Sequence, residues 1–216
     1  MRDSYEEFIK GFGINYDDYL EWGIQNTIYP PVNEICSAWS DLKERINRGD
    51  EVYIRGYGRN GKGNELISDF YSSMNINIKI DPTNNMKPTH NLQSLTGLRK
   101  KIDLYNYQVS HIFGHTKNVY MFEAPWNICF VPKMFDPLTG HEALGTFPKD
   151  YKGKWLSVIK IKFQNYIEDY NTIMRSIKPM NRIDLFISQK SIAEKYTKEQ
   201  LDKFKTDMGA EFSTIQ

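Results

Sequence analysis

The chain has little cysteine, no long apolar run and almost no net charge, and each shortage argues against a class of protein. Its two cysteines, Cys36 and Cys129, stand far apart in 216 residues, and no Cys-x-x-Cys pair occurs. A thiolate zinc site or a disulfide scaffold is therefore not expected, and two buried, reduced thiols are. The longest apolar stretch, Ile128 to Val131, is far too short to span a bilayer. Met1 to Lys10 is charged and mixed, without the apolar centre of a signal peptide, so a cytoplasmic location with no membrane partner is expected. A formal net charge of +1 supplies no general basic coat. Any nucleic acid would have to be held by a local basic face.

What is present is enough apolar surface for a core: 40% hydrophobic residues, 14% aromatic, and no repeat or low-complexity tract. The pattern divides the chain into an N-terminal helical region (1–50), an α/β core (51–150) and a C-terminal helical region (151–216), within one compact domain. Tyr5, Phe8 and Ile9 mark a short helix, and Tyr16, Tyr19 and Leu20 another. Val32, Ile35, Cys36, Trp39, Leu42 and Ile46 keep helical spacing behind Pro30-Pro31, and Gly49 should end that helix.

A strand is expected over Glu51–Arg55, then a helix capped by Asn64, then a strand over Asn75–Ile80. Asp81 to His90, rich in Pro, Asn and Thr, reads as a loop. The stretch from Asp103 to Val131 is β-like, and a short helix is expected from Asp136 to Ala143. One long helix should run from Trp155 to Ser176 with Val158, Ile159, Phe163, Ile167, Tyr170 and Met174 inward. Ile183–Ile187 reads as a strand, and Thr197-x-x-Gln200 as the capping box of a last helix. The fold class implied is α+β, with a β-rich centre between helical ends.

Two segments carry candidate chemistry. Gly56-Tyr57-Gly58-Arg59-Asn60-Gly61-Lys62-Gly63 nearly matches a phosphate-cradling P-loop, but Gly63 replaces the Ser or Thr that helps hold magnesium. Asp81 is the sole contender for the partner carboxylate. The alternatives are a nucleotide-binding enzyme, or a non-catalytic nucleic-acid or protein-binding loop using Arg55, Arg59 and Lys62. The second segment holds His111, His115 and His141 near Asn127 and Asp136, with His90 just upstream. Imidazoles and carboxylates together suit a divalent cation that assists hydrolysis.

The runs Tyr107-Gln108-Val109-Ser110-His111, Trp126-Asn127-Ile128 and Thr139-Gly140-His141-Glu142 resemble the His–Asn–His signature of HNH (ββα-metal) nucleases. The resemblance covers about a sixth of the chain. It implies a ββα core in which His111 is the general base, Asn127 orients the loop and the base, and His141 ligates a divalent cation, magnesium or manganese. Ser110 stands where the family has a ligand, the Asn127–His141 interval is long, and the zinc-binding cysteines of many members are missing. Asp136, His115 or Asp103 would have to replace the lost ligand. Arg99, Lys100 and Lys101 precede the segment, and Lys149, Lys152, Lys154, Lys160 and Lys162 follow it, as candidate phosphate contacts. Tyr105, Tyr107, Tyr120 and Trp126 are available either to stack on bases or to pack inside. The resulting expectation is a DNA endonuclease hydrolysing phosphodiesters, of restriction or phage-related type, with a homodimer as the natural form of a duplex cutter.

Overall fold

The computed structural model describes residues 2–140 and 143–216; His141 and Glu142, within the helix expected from Asp136 to Ala143, lie outside that range, and Ala143 is not helical. The helices α1 (Ser4–Gly11), α2 (Tyr16–Gln25) and α3 (Val32–Arg48) come first. α3 buries Ile35, Trp39, Leu42 and Ile46 at helical spacing and stops at Gly49, whose φ of 76° takes the left-handed conformation a C-terminal cap requires.

Next comes a βαβ unit of β1 (Val52–Ile54), α4 (Gly61–Ser73) and β2 (Ile78–Ile80). The strands are parallel, Val52 opposite Ile78 and Ile54 opposite Ile80, because a helix rather than a tight turn connects them. The cap of α4 is Asn60, whose side chain accepts the Gly63 N–H, and not Asn64. After α5 (Met86–Thr96), β3 (Tyr107–His111) and β4 (Ile128–Pro132) form an antiparallel pair with His111 opposite Ile128. Every residue of β4 is buried. Cys129 and Val131 enter the main core, while Ile128 and Phe130 join Val109 and Leu92 in a small second cluster, as the two-residue period of a strand dictates. The short α6 (Asp136–Thr139) follows, then α7 (Thr146–Lys162), α8 (Gln164–Ile177), α9 (Pro179–Ile187), α10 (Lys190–Lys195) and α11 (Lys198–Glu211). The fold is α+β.

Four expectations need correction. Asp81–His90 is not all loop, because α5 begins at Met86: Pro88 lies in the first turn, where its missing N–H is harmless. The buried Asp81 side chain collects the N–H groups of Thr83, Met86 and Lys87 at that helix start. Ile183–Ile187 is helical, launched by Pro179, with Ile183 and Phe186 inward and Leu185 outward. The long helix is two helices, interrupted at Phe163 (φ −116°, ψ 21°), and Val158 is exposed. Cys36 is exposed and Cys129 buried, and both are free thiols. The capping box at Thr197 and Gln200 is present with both of its hydrogen bonds.

One continuous set of buried side chains runs from Ile9 to Phe212, so the helical ends and the β centre share a core. Glu123 lies within it, fully buried. It accepts the Tyr53 N–H at 2.6 Å and an Arg45 N–H at 3.1 Å, with Lys87 Nζ at 3.8 Å. This carboxylate ties α3, β1 and α5 to the loop before β4. Truncation would leave the Tyr53 N–H without its acceptor and Arg45 with only Asp41 and the Glu51 carbonyl, so Glu123→Ala should lower stability by about 3 kcal/mol, read from urea unfolding.

Candidate active site

The site is built by the connection 112–127, which leaves β3 and returns to β4. Asn127 is wholly buried, and its amide serves the loop three times. Its oxygen accepts the Phe113 N–H (2.9 Å), and its nitrogen donates to the carbonyls of Gly114 (3.1 Å) and Met121 (3.0 Å). Gly114 and His115 both adopt left-handed backbone, with φ of 71° and 54°. Thr116 then offers its carbonyl to the Arg55 N–H at 2.9 Å, which joins the end of β1 to this loop. From the far side, the end of α11 grips the loop through Glu211. Its carboxylate accepts from Lys117 N and Nζ, and its carbonyl accepts from His115 and Asn118.

These ties leave an open cleft of about 700 Å³, with Arg55, His111, His115, Asp136, Lys152 and Glu211 among its lining. That volume is in the range of small-molecule sites. His111 Nε2 lies 3.0 Å from the Phe122 carbonyl, and its ring stacks on Phe122 at 5.2 Å. A carbonyl can only accept, so Nε2 carries the proton and Nδ1 is the basic nitrogen. Burial, and after it the Arg55 cation, lowers the His111 pKa to about 4, against the raising effects of the Phe122 bond and Asp81. The ring is therefore neutral at neutral pH. His115 Nδ1 lies 2.8 Å from the Glu211 carbonyl, and by the same logic Nε2 is its basic nitrogen.

Of the residues expected to bind metal, Asp136 and His115 line this cleft with His111, while His141 lies outside the described residues. Ser110 also lines it, but its hydroxyl is engaged. Thr139 gives its proton to the Asp136 carbonyl, so Ser110 donates to Thr139 at 2.9 Å and fastens α6 against β3. Among the described residues no three His, Cys, Asp or Glu side chains converge as a cation site, so those residues do not by themselves complete one. Asp103 is bonded to Arg99, and His90 is exposed on α5. Asn127 is a buried positioning residue, not one that faces the cleft.

The basic candidates scatter. Arg55 lines the cleft, but Lys62 pairs with Glu65 beside a separate, smaller pocket against α11. Arg59 is exposed, Arg99 pairs with Asp103, Lys100 reaches Gln108, and Lys101 is exposed. Lys154 pairs with Asp17. The glycine-rich loop is filled by its own asparagines: Asn64 accepts the Tyr57 N–H and donates to the Gly58 carbonyl, and Asn60 takes the Gly63 N–H. The Tyr57, Asn60 and Gly63 amides are thus already paired within the loop, and Asp81 is occupied at α5. Trp126 is fully buried and Tyr120 nearly so, which leaves Tyr105 as the exposed aromatic of that group. Sequence reasoning missed Glu211 and Asn85, since nothing local marks a helix end or a loop amide that meets the site only in the fold.

Two outcomes follow from this geometry. From about pH 6.5 down to about 4, the unfolded chain protonates His111 while the folded chain does not. Its contribution to stability is therefore complete above that window and lost as pH falls through it, with a slope approaching about 1.4 kcal/mol per pH unit. Urea unfolding across this range should show a shallower slope for His111→Asn than for the parent chain. Asn127→Asp places a carboxylate oxygen against the Gly114 and Met121 carbonyls and should cost about 3 kcal/mol or more, with displaced His111 ring resonances in NMR spectra.

Comparison with known proteins gives a family. The model of the family described as "Uncharacterised protein PM1201" matches residues 30–216. A protein of Pasteurella multocida (strain Pm70) carrying that description is 38% identical over 213 residues, which is 98% of this chain and 92% of the relative. No solved structure matches the chain. No helix among the described residues is long and apolar enough to cross a membrane. The chain belongs to the PM1201 family.

Proposed function

We propose that the chain is a phosphodiester hydrolase of HNH type acting on DNA in the cytoplasm, with His111 as its general base. The observation that carries this is the state of His111. Its Nε2–H is held by the Phe122 carbonyl, its other nitrogen is basic, and it lines an open cleft with the cations Arg55 and Lys152. A histidine fixed in one tautomer and left unprotonated can accept a proton from water, and a phosphate anion in the cleft would raise the pKa that burial holds at about 4 toward the range a base needs. The water oxygen bonds to phosphorus, the bond to the 3′ oxygen breaks, His111 takes the proton, and solvent returns one to the leaving oxygen. Asn127 and Phe122 hold the base in place. Lys152 and Arg55 offset charge on the phosphate oxygens.

In this proposal a magnesium or manganese ion would be held by Asp136 with His141, and His115 is the further available ligand. Such an ion supplies charge stabilisation at the departing oxygen when bound. Cutting both strands of a duplex would call for a homodimer.

Supercoiled plasmid incubated with Mg²⁺ or Mn²⁺ should be nicked or linearised by the parent chain. His111→Ala should cut about 100-fold more slowly or worse, and chelator should stop both. Equal cutting by the two proteins would reject His111 as base, and no cutting with either metal would reject the hydrolase.

A further inference from the structure

We infer that Arg55 forms a phosphate-binding subsite beside His111, with its guanidinium oriented by Asn85 and waiting for an external oxyanion. Arg55 sits where β1 ends, its backbone bonded to Thr116 and its side chain lining the cleft. One nitrogen, Nη2, donates to the Asn85 side-chain oxygen at 3.2 Å and to the Asn84 carbonyl at 3.4 Å. Its Nε is buried with no hydrogen-bond partner. Arg55 forms no ion pair with a carboxylate among the described residues.

The nearest influences are already engaged. Asp81 holds the amides that start α5, and Glu211 holds Lys117. Burial consequently disfavours the charged guanidinium, only partly offset by Glu211 and Asp81 at longer range. A buried cation with an idle N–H is destabilising unless something negative meets it. Neutral Asn84 and Asn85 take the Nη2 hydrogens and fix the guanidinium plane without neutralising it, which leaves Nη1 to donate to an entering phosphate oxygen.

The inference deepens the hydrolytic proposal, since the oxyanion would be a phosphate of the DNA strand, but anion binding does not require cleavage. The probe is inorganic phosphate, titrated calorimetrically into the full chain without added metal, with the melting temperature followed alongside. The parent chain should bind phosphate and melt higher as phosphate is added, and thymidylyl-thymidine should compete for the site. Asn85→Asp places a carboxylate on Nη2, which should keep the fold yet weaken phosphate binding about tenfold or more. Arg55→Lys, which keeps the charge but loses the plane set by Asn85, should weaken it to a similar degree. The Arg55 Nε–H resonance should move on phosphate addition and be missing in Arg55→Lys.

Phosphate binding is read without cleavage, so failure of the parent chain to cut plasmid leaves the subsite standing. Failure of the parent chain to bind phosphate overturns the inference, as does binding undiminished in both Asn85→Asp and Arg55→Lys. Competition by acetate as strong as that by phosphate overturns the phosphate assignment. Failure of thymidylyl-thymidine to compete assigns the subsite to free phosphate instead and overturns its link to DNA.

Discussion

The buried amide of Asn127 is the constraint on which the centre of this protein depends. The strands it joins are short, and a pair of five-residue strands does not fix the shape of the chain between them. Three hydrogen bonds from one side chain do, because a buried amide left unsatisfied would be costly and this loop supplies both donor and acceptors at the right places. With the loop fixed, Trp126 is driven into the core, where it meets Trp39 edge-on at 5.6 Å. The Phe122 carbonyl is brought beneath His111, and Thr116 reaches β1. The positions of His111 and Arg55 are thus consequences of one side chain's hydrogen-bonding requirements.

Buried polar groups elsewhere divide into two kinds. Glu123 and Asp81 are enclosed, and each is surrounded by N–H donors, so their burial is compensated and they act as joints between elements. Arg55 and His111 face the cleft with capacity left over. Unmet bonding is not confined to the cleft, since Trp126 Nε1 is likewise unpaired in the core, but among the described residues Arg55 is the charged group so left, and it lies where a cavity opens.

Much of the fold was legible in the sequence because period and punctuation agree there. α3 has both its apolar spacing and its terminal glycine, and α11 has its capping box. β3 and all but the last residue of β4 fall within the stretch 103–131 read as β-like, although 112–127 between them is a loop and not strand. The failures have specific causes. α5 hides behind a proline that is harmless in a first turn, and Ile-Asp-Leu-Phe-Ile in α9 satisfies both a two-residue and a helical period, which only packing decides. At the site, histidine and asparagine could be singled out as residue types, and the fold brings His111, His115 and Asp136 to one cleft. The grip of Glu211 from α11 and the orientation of Arg55 by Asn85 join distant parts of the chain, and no local pattern encodes such contacts.

The charge around the cleft bears on how a polyanion could be held there. Arg55 and Lys152 are set against Asp136 and Glu211, so the lining carries no strong excess of either sign. A protein that grips DNA by neutralising many phosphates loses affinity steeply with added salt, since each contact releases a counterion. Two cleft cations can release few. Attraction at long range is therefore weak, and what the cleft offers is position: a guanidinium of fixed plane, an imidazole of fixed tautomer and a carboxylate on α6 facing the same space. On the hydrolytic proposal, such a site would hold a phosphate accurately more than tightly, and accuracy is what a displacement at phosphorus demands of its base.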